Sequence, residues 1–303
     1  MEATITDSKL NFARAFATYR ELMKIRIVAL LVFTTLTAMF VAENGVPNPS
    51  LLLVTALGGI LAAGGASAIN QYIDRDMDGK MARTANRPIP SGRVAPINAL
   101  VFGAGLVAWS VLILGVFVNW LSAFLALLGA LYYVVLYTML LKRNTVVNIV
   151  IGGGAGAIPV LVGWTAVANS LSVEAFLLFA IVFYWTPPHS WALALLVNKD
   201  YAAANVPMMP VARGEEVTRW QILYYSVQLV LITLIPLAGL LTQQVPMLGG
   251  FYAVSALVLG GGLLYVCVKL IRVADKPMAR VVYKYSSMYL ALLFMAMIID
   301  RLL

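Results

Sequence analysis

Stretches of about 20 mostly apolar residues recur along the whole chain, near 27–42, 51–70, 96–118, 121–141, 145–168, 173–196, 220–241, 248–268 and 285–302. Each is long enough to carry a helix through the roughly 30 Å hydrocarbon core of a bilayer. Only helices and closed barrels span that core, because no water is there to satisfy backbone N–H and C=O groups. With 62% apolar and 11% charged residues, the chain has more hydrophobic surface than a soluble domain can bury. The expected fold is an all-α integral membrane protein of nine transmembrane helices. The Val118–Leu121 connection is so short that a hairpin is the alternative to two full spans there.

Charge sets the orientation. Nine spans put the segments 1–26, 71–95, 142–144, 197–219 and 269–284 on one side, and these hold every Lys and Arg except Arg301. The positive-inside rule then places the N-terminus and the charged loops in the cytoplasm and the C-terminus outside. The net charge of +8 is explained by topology and anionic headgroups, with no nucleic-acid partner. Residues 1–26 are basic and amphipathic and lack a short apolar core with a cleavage site, so they are expected to lie as a helix on the membrane surface. Residues 27–303 are expected to form one nine-helix domain. Cys267 is the only cysteine, which excludes disulfide frameworks, iron–sulfur clusters and zinc–thiolate sites.

The most informative polar stretch runs from Asn70 to Arg93. Asn70, Asp74 and Asp78 fall four residues apart, which predicts one stripe on a helix at the foot of the second span. Clustered oxygen ligands suit Mg²⁺, which takes carboxylate oxygens plus water and bridges to substrate phosphate. Lys80, Arg83 and Arg87 follow, so a diphosphate site is the sharper reading and a solvated charged loop the plainer one. The fifth span carries Gly152-Gly153-Gly154-Ala155-Gly156-Ala157. Close helix packing is the first explanation of that run and cavity space for a bulky ligand the second. Asn148, one turn into the span, needs a partner in a dry environment.

A second polar constellation, Tyr184-Trp185-Thr186-Pro187-Pro188-His189-Ser190-Trp191, sits in the sixth span. Two consecutive prolines are expected to break the hydrogen-bond ladder there and open a cavity. His189, the only histidine, is either a packing residue or a ligand and base. One histidine cannot clamp a haem through two axial imidazoles, so any haem here is held as a substrate is held.

These residues resemble a family. Asn70-x-x-x-Asp74-x-x-x-Asp78, followed by Asn86-Arg87-Pro88-Ile89-Pro90-Ser91-Gly92, resembles the first aspartate-rich motif of the UbiA-type intramembrane aromatic prenyltransferases. Lys142-Arg143-x-x-x-x-Asn148, Gly163-Trp164, Trp185-Thr186-Pro187-Pro188-His189-x-Trp191 and Asp200-Tyr201 with Pro207-Met208-x-Pro210 resemble the branch that farnesylates protohaem IX. The resemblance implies a helix bundle around a central cavity, with its active site at the cytoplasmic face of the cell membrane. It implies transfer of farnesyl from farnesyl diphosphate to the 2-vinyl group of haem B, with addition of water, giving haem O and diphosphate. It further implies Mg²⁺ as cofactor, held by Asn70, Asp74, Asp78 and Asp200. Arg83, Arg87, Lys142, Arg143, Asn148 and Lys199 would bind diphosphate or haem propionates. His189 would bind the haem, and Tyr201, Asp200 or His189 would orient the quenching water. Membrane lipid, haem A synthase and terminal-oxidase assembly factors are the implied partners.

Two positions depart from that pattern, Asn205 where glycine is common and Ser190 where phenylalanine is common, which bears on loop shape and haem packing. A prenyltransferase for a quinone precursor or chlorophyll-like ring, and a transporter, are the competing functions. The acids sit at span ends and not at the midplane, which disfavours ion-coupled transport.

Overall fold

The computed structural model describes residues 14–237 and 247–303. Among these, eight helices are long and apolar enough to cross a membrane. They are α1 (Ile25–Glu43), α2 (Pro49–Ile73), α4 (Pro96–Phe117), α5 (Trp120–Leu131) with its continuation to Leu141, α6 (Asn148–Ala168), α10 (Glu215–Leu234) with its 3-10 extension to Leu237, α11 (Gly250–Val273) and α12 (Lys276–Leu302). A further long helix, α7 (Val173–Leu196), has the length but not the apolarity, because the Tyr184–Trp191 block dilutes it. Short helices α3 (Arg75–Asp78), α8 (Asn198–Ala203) and α9 (Met209–Arg213) lie in the connections. The N-terminal amphipathic segment falls partly outside the described residues; within them, residues 14–22 are helical.

Several boundaries differ from expectation. The last span begins at Lys276, about nine residues early, because Asp275 caps it through the Met278 amide and Pro277 suits its first turn. Asn119 separates α4 from α5 by accepting from the Ser122 amide, so the short connection joins two full helices and conceals no hairpin. Across Pro187 and Pro188 the helix does not break: α7 runs continuously from Val173 to Leu196. Its packing supports it instead, with Trp185 Nε1 donating to the Ser286 carbonyl of α12 at 2.7 Å.

The helices close into a ring in which α12 returns to α1, and α6 packs against α1, α5 and α7. Fully 61% of the most apolar stretch of α6 is buried, against 22–44% for the other seven candidate spans, so α6 is the inner wall. Its small residues make that possible. A Cβ on Gly163 would collide with the backbone carbonyl of Thr35 on α1, so the glycine run is in part a close-packing device. The Lys- and Arg-rich connections gather at one end, tied by Arg93 to Glu21 at 2.7 Å and Lys142 to Asp74 at 2.5 Å. At the other end Arg301 donates to Asn44, and Asp300 accepts from the Gly249 and Tyr252 amides.

The collision at Gly163 yields a test. Gly163→Ala should cost about 1–3 kcal/mol by overpacking against α1, whereas Gly105→Ala, with open space around it, should be neutral. Thermal unfolding of both variants in detergent distinguishes them, and equal midpoints would contradict the close α1–α6 approach.

Candidate active site

At the basic end, α2 stops at Ile73 and Asp74 adopts φ −83°, ψ 2° before the short helix α3 begins. The Asn70–Asp74–Asp78 stripe is therefore not carried on one continuous helix as its spacing predicts. The bend keeps the first two together, with Asn70 Nδ2 donating to Asp74 Oδ2 at 2.7 Å. Asp78 is held separately by Arg87 at 2.7 Å. Arg83 and Arg87 lie beyond α3, where residues 79–94 form a series of turns. In this loop Thr84 Oγ1 donates to the Asp78 carbonyl and fixes its course.

Asp74 and Asp78 are both fully buried. Such carboxylates are tolerable only when paired. Lys142, which follows the fourth span, bonds Asp74 Oδ2, and Arg143 lies 3.6 Å from Asp74 Oδ1 while gripping Asp76 through two nitrogens at 2.8 and 2.9 Å. The Arg143 hydrogen bonds hold the Asp76 carboxyl down at about 2. Lys142 is pushed down from the usual lysine range, chiefly by desolvation.

The sequence reading missed Lys24. Its Nζ donates to Asn70 Oδ1 at 2.9 Å, and burial, then the Arg87 and Lys142 charges, lower it to about 7. In the sequence it is one more basic residue at the mouth of a span; only the α1–α2 packing brings it to Asn70. Thr138 was missed too, and it accepts from Asn70 Nδ2 at 3.1 Å.

One oxygen on each acid, Asp74 Oδ1 and Asp78 Oδ1, is buried without a hydrogen-bond partner. Orphaned carboxylate oxygens of this kind fit a hard divalent cation. Among the described residues, however, no three acidic, histidine or cysteine side chains converge on one point. Asp200, on α8, is thus not brought into the Asp74–Asp78 group, and the expected four-ligand set is not assembled. Neighbouring Tyr201 is buried, with the Arg83 guanidinium 5.9 Å from its ring centre. Lys199 is exposed. Asn148 is fully buried, its Nδ2 bonded to the Thr145 carbonyl and its Oδ1 without a partner.

Below this cluster lies a cavity of about 340 Å³ between α1, α2, α5, α6 and α7. Lys24 and Ser67 mark its upper end, and Thr35, Gly59 and Val162 lie deeper. Gly152, Gly153 and Gly156 line it, so the glycine run serves cavity space as well as packing. On α7 its lining residues are Thr186 and Ser190, so serine in place of phenylalanine leaves room there. Asn205 has φ +53°, a left-handed conformation that glycine and asparagine both tolerate.

His189 points elsewhere. It lies on the α12 side of α7, stacked between Trp185 and Tyr283 at 4.3 and 4.7 Å, with Nδ1 2.9 Å from Ser286 Oγ. Because Ser286 Oγ also lies 2.9 Å from the Tyr283 carbonyl, its one hydrogen is committed there and it accepts from His189 Nδ1–H. Nε2 is then left as the unprotonated nitrogen.

Residues 31–296 match the UbiA prenyltransferase family. The chain is 51% identical over 287 residues to a Chloroflexus aurantiacus protein named protoheme IX farnesyltransferase, covering 95% of this chain and 48% of that one. It is 48% identical over 293 residues to a protein of the same name from Gloeothece citriformis, covering 96% of this chain and 89% of that one. It therefore spans about half the length of the Chloroflexus relative and nine-tenths of the Gloeothece one. Among solved structures, one concerning digeranylgeranylglyceryl phosphate synthase superposes with a TM-score of 0.76 at 18% identity, over 94% of this chain and 98% of that one. A UbiA homolog from Archaeoglobus fulgidus bound to DMAPP and Mg²⁺ superposes with a TM-score of 0.63 at 14% identity, over 92% and 99%. Such identities show the fold alone. The fold, the buried acids above an apolar cavity and the match over most of the sequence agree: this chain belongs to the UbiA prenyltransferase family.

Proposed function

We propose that this chain transfers the farnesyl group of farnesyl diphosphate to the 2-vinyl group of haem B, with addition of water, giving haem O and diphosphate. The observation that carries the reading is the pairing of a cation-rich, carboxylate-bearing cluster with an apolar cavity directly beneath it. A molecule with a charged diphosphate head and an isoprenoid tail matches both parts. The names borne by relatives at 46–51% identity supply the acceptor. The active site lies at the cytoplasmic face of the plasma membrane, nine helices span the bilayer, and haem A synthase or oxidase assembly factors receive the product.

In this reading Asp74 and Asp78, with Asn70, would hold Mg²⁺, which would supply positive charge to the departing diphosphate, and Asp200, outside that group, would act on the diphosphate from α8. Lys24, Lys142, Arg87 and Arg83 contribute positive charge where the leaving group gains negative charge, which lowers the barrier most. Arg143 positions Asp74 and Asp76. Asn148 and Lys199 contact the diphosphate or the haem propionates. The electron-rich vinyl group then attacks the allylic carbon, and the resulting cation beside the porphyrin takes up water oriented by Tyr201 or Asp200. His189, with Nε2 bare but outside the cavity lining, would meet the haem only from the α12 side of α7. A dry cavity delays water until the carbon–carbon bond exists.

Mass spectrometry of haems from cells with and without this chain tests the reaction: a farnesylated, hydrated haem should appear only with it. Its absence, with a prenylated quinone or chlorin found instead, would replace the acceptor. Asp74→Asn should lower turnover by roughly two orders of magnitude or more, with partial rescue by excess Mg²⁺; normal turnover in limiting Mg²⁺ would remove the metal from Asp74.

Lys142→Met removes the nearest cation from the buried Asp74 carboxylate, leaving Arg143 at 3.6 Å and the Asn70 amide, and should cost about 1–3 kcal/mol. Because Mg²⁺ supplies a replacement charge, adding it should raise the unfolding midpoint of Lys142→Met more than that of wild type. Equal shifts would place the cation elsewhere. Arg87→Lys keeps charge but loses the planar fork that grips two oxygens; it should insert normally yet bind farnesyl diphosphate more weakly.

A further inference from the structure

The segment joining α5 to Lys142 is not α-helical. Residues Tyr132–Leu141 form a π-helix ten residues long, with Lys142 N bonded to the Tyr137 carbonyl at 2.8 Å and Thr138 Oγ1 bonded to the Tyr133 carbonyl. Such windings are rare and usually brief, and they bring residues four and five apart into line where an α-helix aligns three and four. Here the winding collects Tyr133, Tyr137, Thr138 and Lys142 toward the site. Thr138 reaches Asn70 and Lys142 reaches Asp74, while the rings of Tyr133 and Tyr137 stack at 5.7 Å and 16° on the cavity wall.

The facing wall of α6 is cut to fit. A Cβ on Gly152 would overlap the Tyr137 ring, and one on Gly154 would stand 2.8 Å from the Tyr132 hydroxyl, which itself bonds the Ile151 carbonyl. The composition of the cavity then matters. Among the described residues its lining holds no carboxylate; its one charged residue is the cation Lys24, and its only aromatic residues are Tyr133 and Tyr137. Once the carbon–oxygen bond to diphosphate breaks, positive charge develops on the allylic carbons inside an apolar space. The π-systems at hand there are these two rings.

We propose that Tyr133 and Tyr137 are catalytic residues that stabilise the allylic cation through their ring faces, and that the π-helix and Gly152 exist to set those rings beside the diphosphate cluster. The proposal rests on reading the site as an allylic diphosphate transferase and deepens it. The bond between C1 of the prenyl chain and the diphosphate oxygen breaks with both electrons leaving on oxygen; the rings share no electrons covalently and are unchanged afterwards.

Two probes test it on the full-length protein in detergent with Mg²⁺. The first compares binding of a neutral farnesyl thiolodiphosphate with an isoprenoid ammonium analogue, carrying positive charge near the former C1, added with diphosphate. Tyr137→Leu and Tyr133→Leu should lose about tenfold or more in affinity for the ammonium analogue and little for the neutral one. Tyr→Phe at either position, which keeps the ring and guards against a misfolded Leu variant, should retain the preference.

The second probe places phenylalanine and its mono-, di- and trifluoro derivatives at position 137. Log kcat should fall stepwise with fluorination while KM for farnesyl diphosphate holds. If wild type binds both analogues but the Leu variants keep the ammonium preference, or if kcat ignores fluorination, the proposal fails and the transferase reading survives. If wild type binds neither analogue, both fail together.

Discussion

Two carboxylates buried from water at the end of a membrane bundle, Asp74 and Asp78, are the constraint on which the rest of the structure turns. Neither could remain ionised there alone. Their partners come from separate parts of the chain: Lys142 after the fourth span, Arg87 from the loop after the second, and Lys24, through Asn70, from the start of the first. Holding those segments together requires the α1–α2–α5 packing, and that packing also encloses the cavity. The charge cluster and the apolar chamber are thus two consequences of one arrangement.

The cluster is over-supplied with cations. Asp76 is already matched by Arg143, which leaves Lys24, Lys142 and Arg87 about two carboxylates that each retain an oxygen without a hydrogen bond. A site with surplus positive charge and unfilled carboxylate oxygens is suited to a metal and an anion arriving together. The lowered proton affinity of Lys24 and Lys142 follows from the same crowding, with desolvation leading in both.

Small residues do the complementary work. Gly163 lets α6 approach α1 closely enough that no side chain fits between them, and Gly152 and Gly153 admit Tyr137 and Thr186 closely, while Gly156 in the cavity lining has open space around it. One glycine-rich helix is both a close helix–helix contact and part of the cavity wall. The two explanations that composition offers for such a run, packing and space, hold at different positions along it.

The sequence by itself determined what depends on composition and short spacing. The spans followed from runs of apolar residues, the basic end from the placement of Lys and Arg, and Asn70, Asp74 and Asp78 from their interval, since hydrophobic burial and local periodicity are properties of neighbouring residues. Tertiary structure alone decided what depends on residues distant in sequence. Lys24 looked like an ordinary charge at a span mouth until α1 met α2. The Asn70–Asp78 stripe bends at Asp74, its two acids pair with different cations, and no third acid joins them among the described residues. Pro187 and Pro188 do not break α7, since α12 supports that helix through Trp185, and His189 faces α12 because Ser286 and Tyr283 enclose it there. No local pattern encodes the π winding at Tyr132–Leu141. Its contacts to Asn70 through Thr138 and to Asp74 through Lys142 exist only when the helices are assembled.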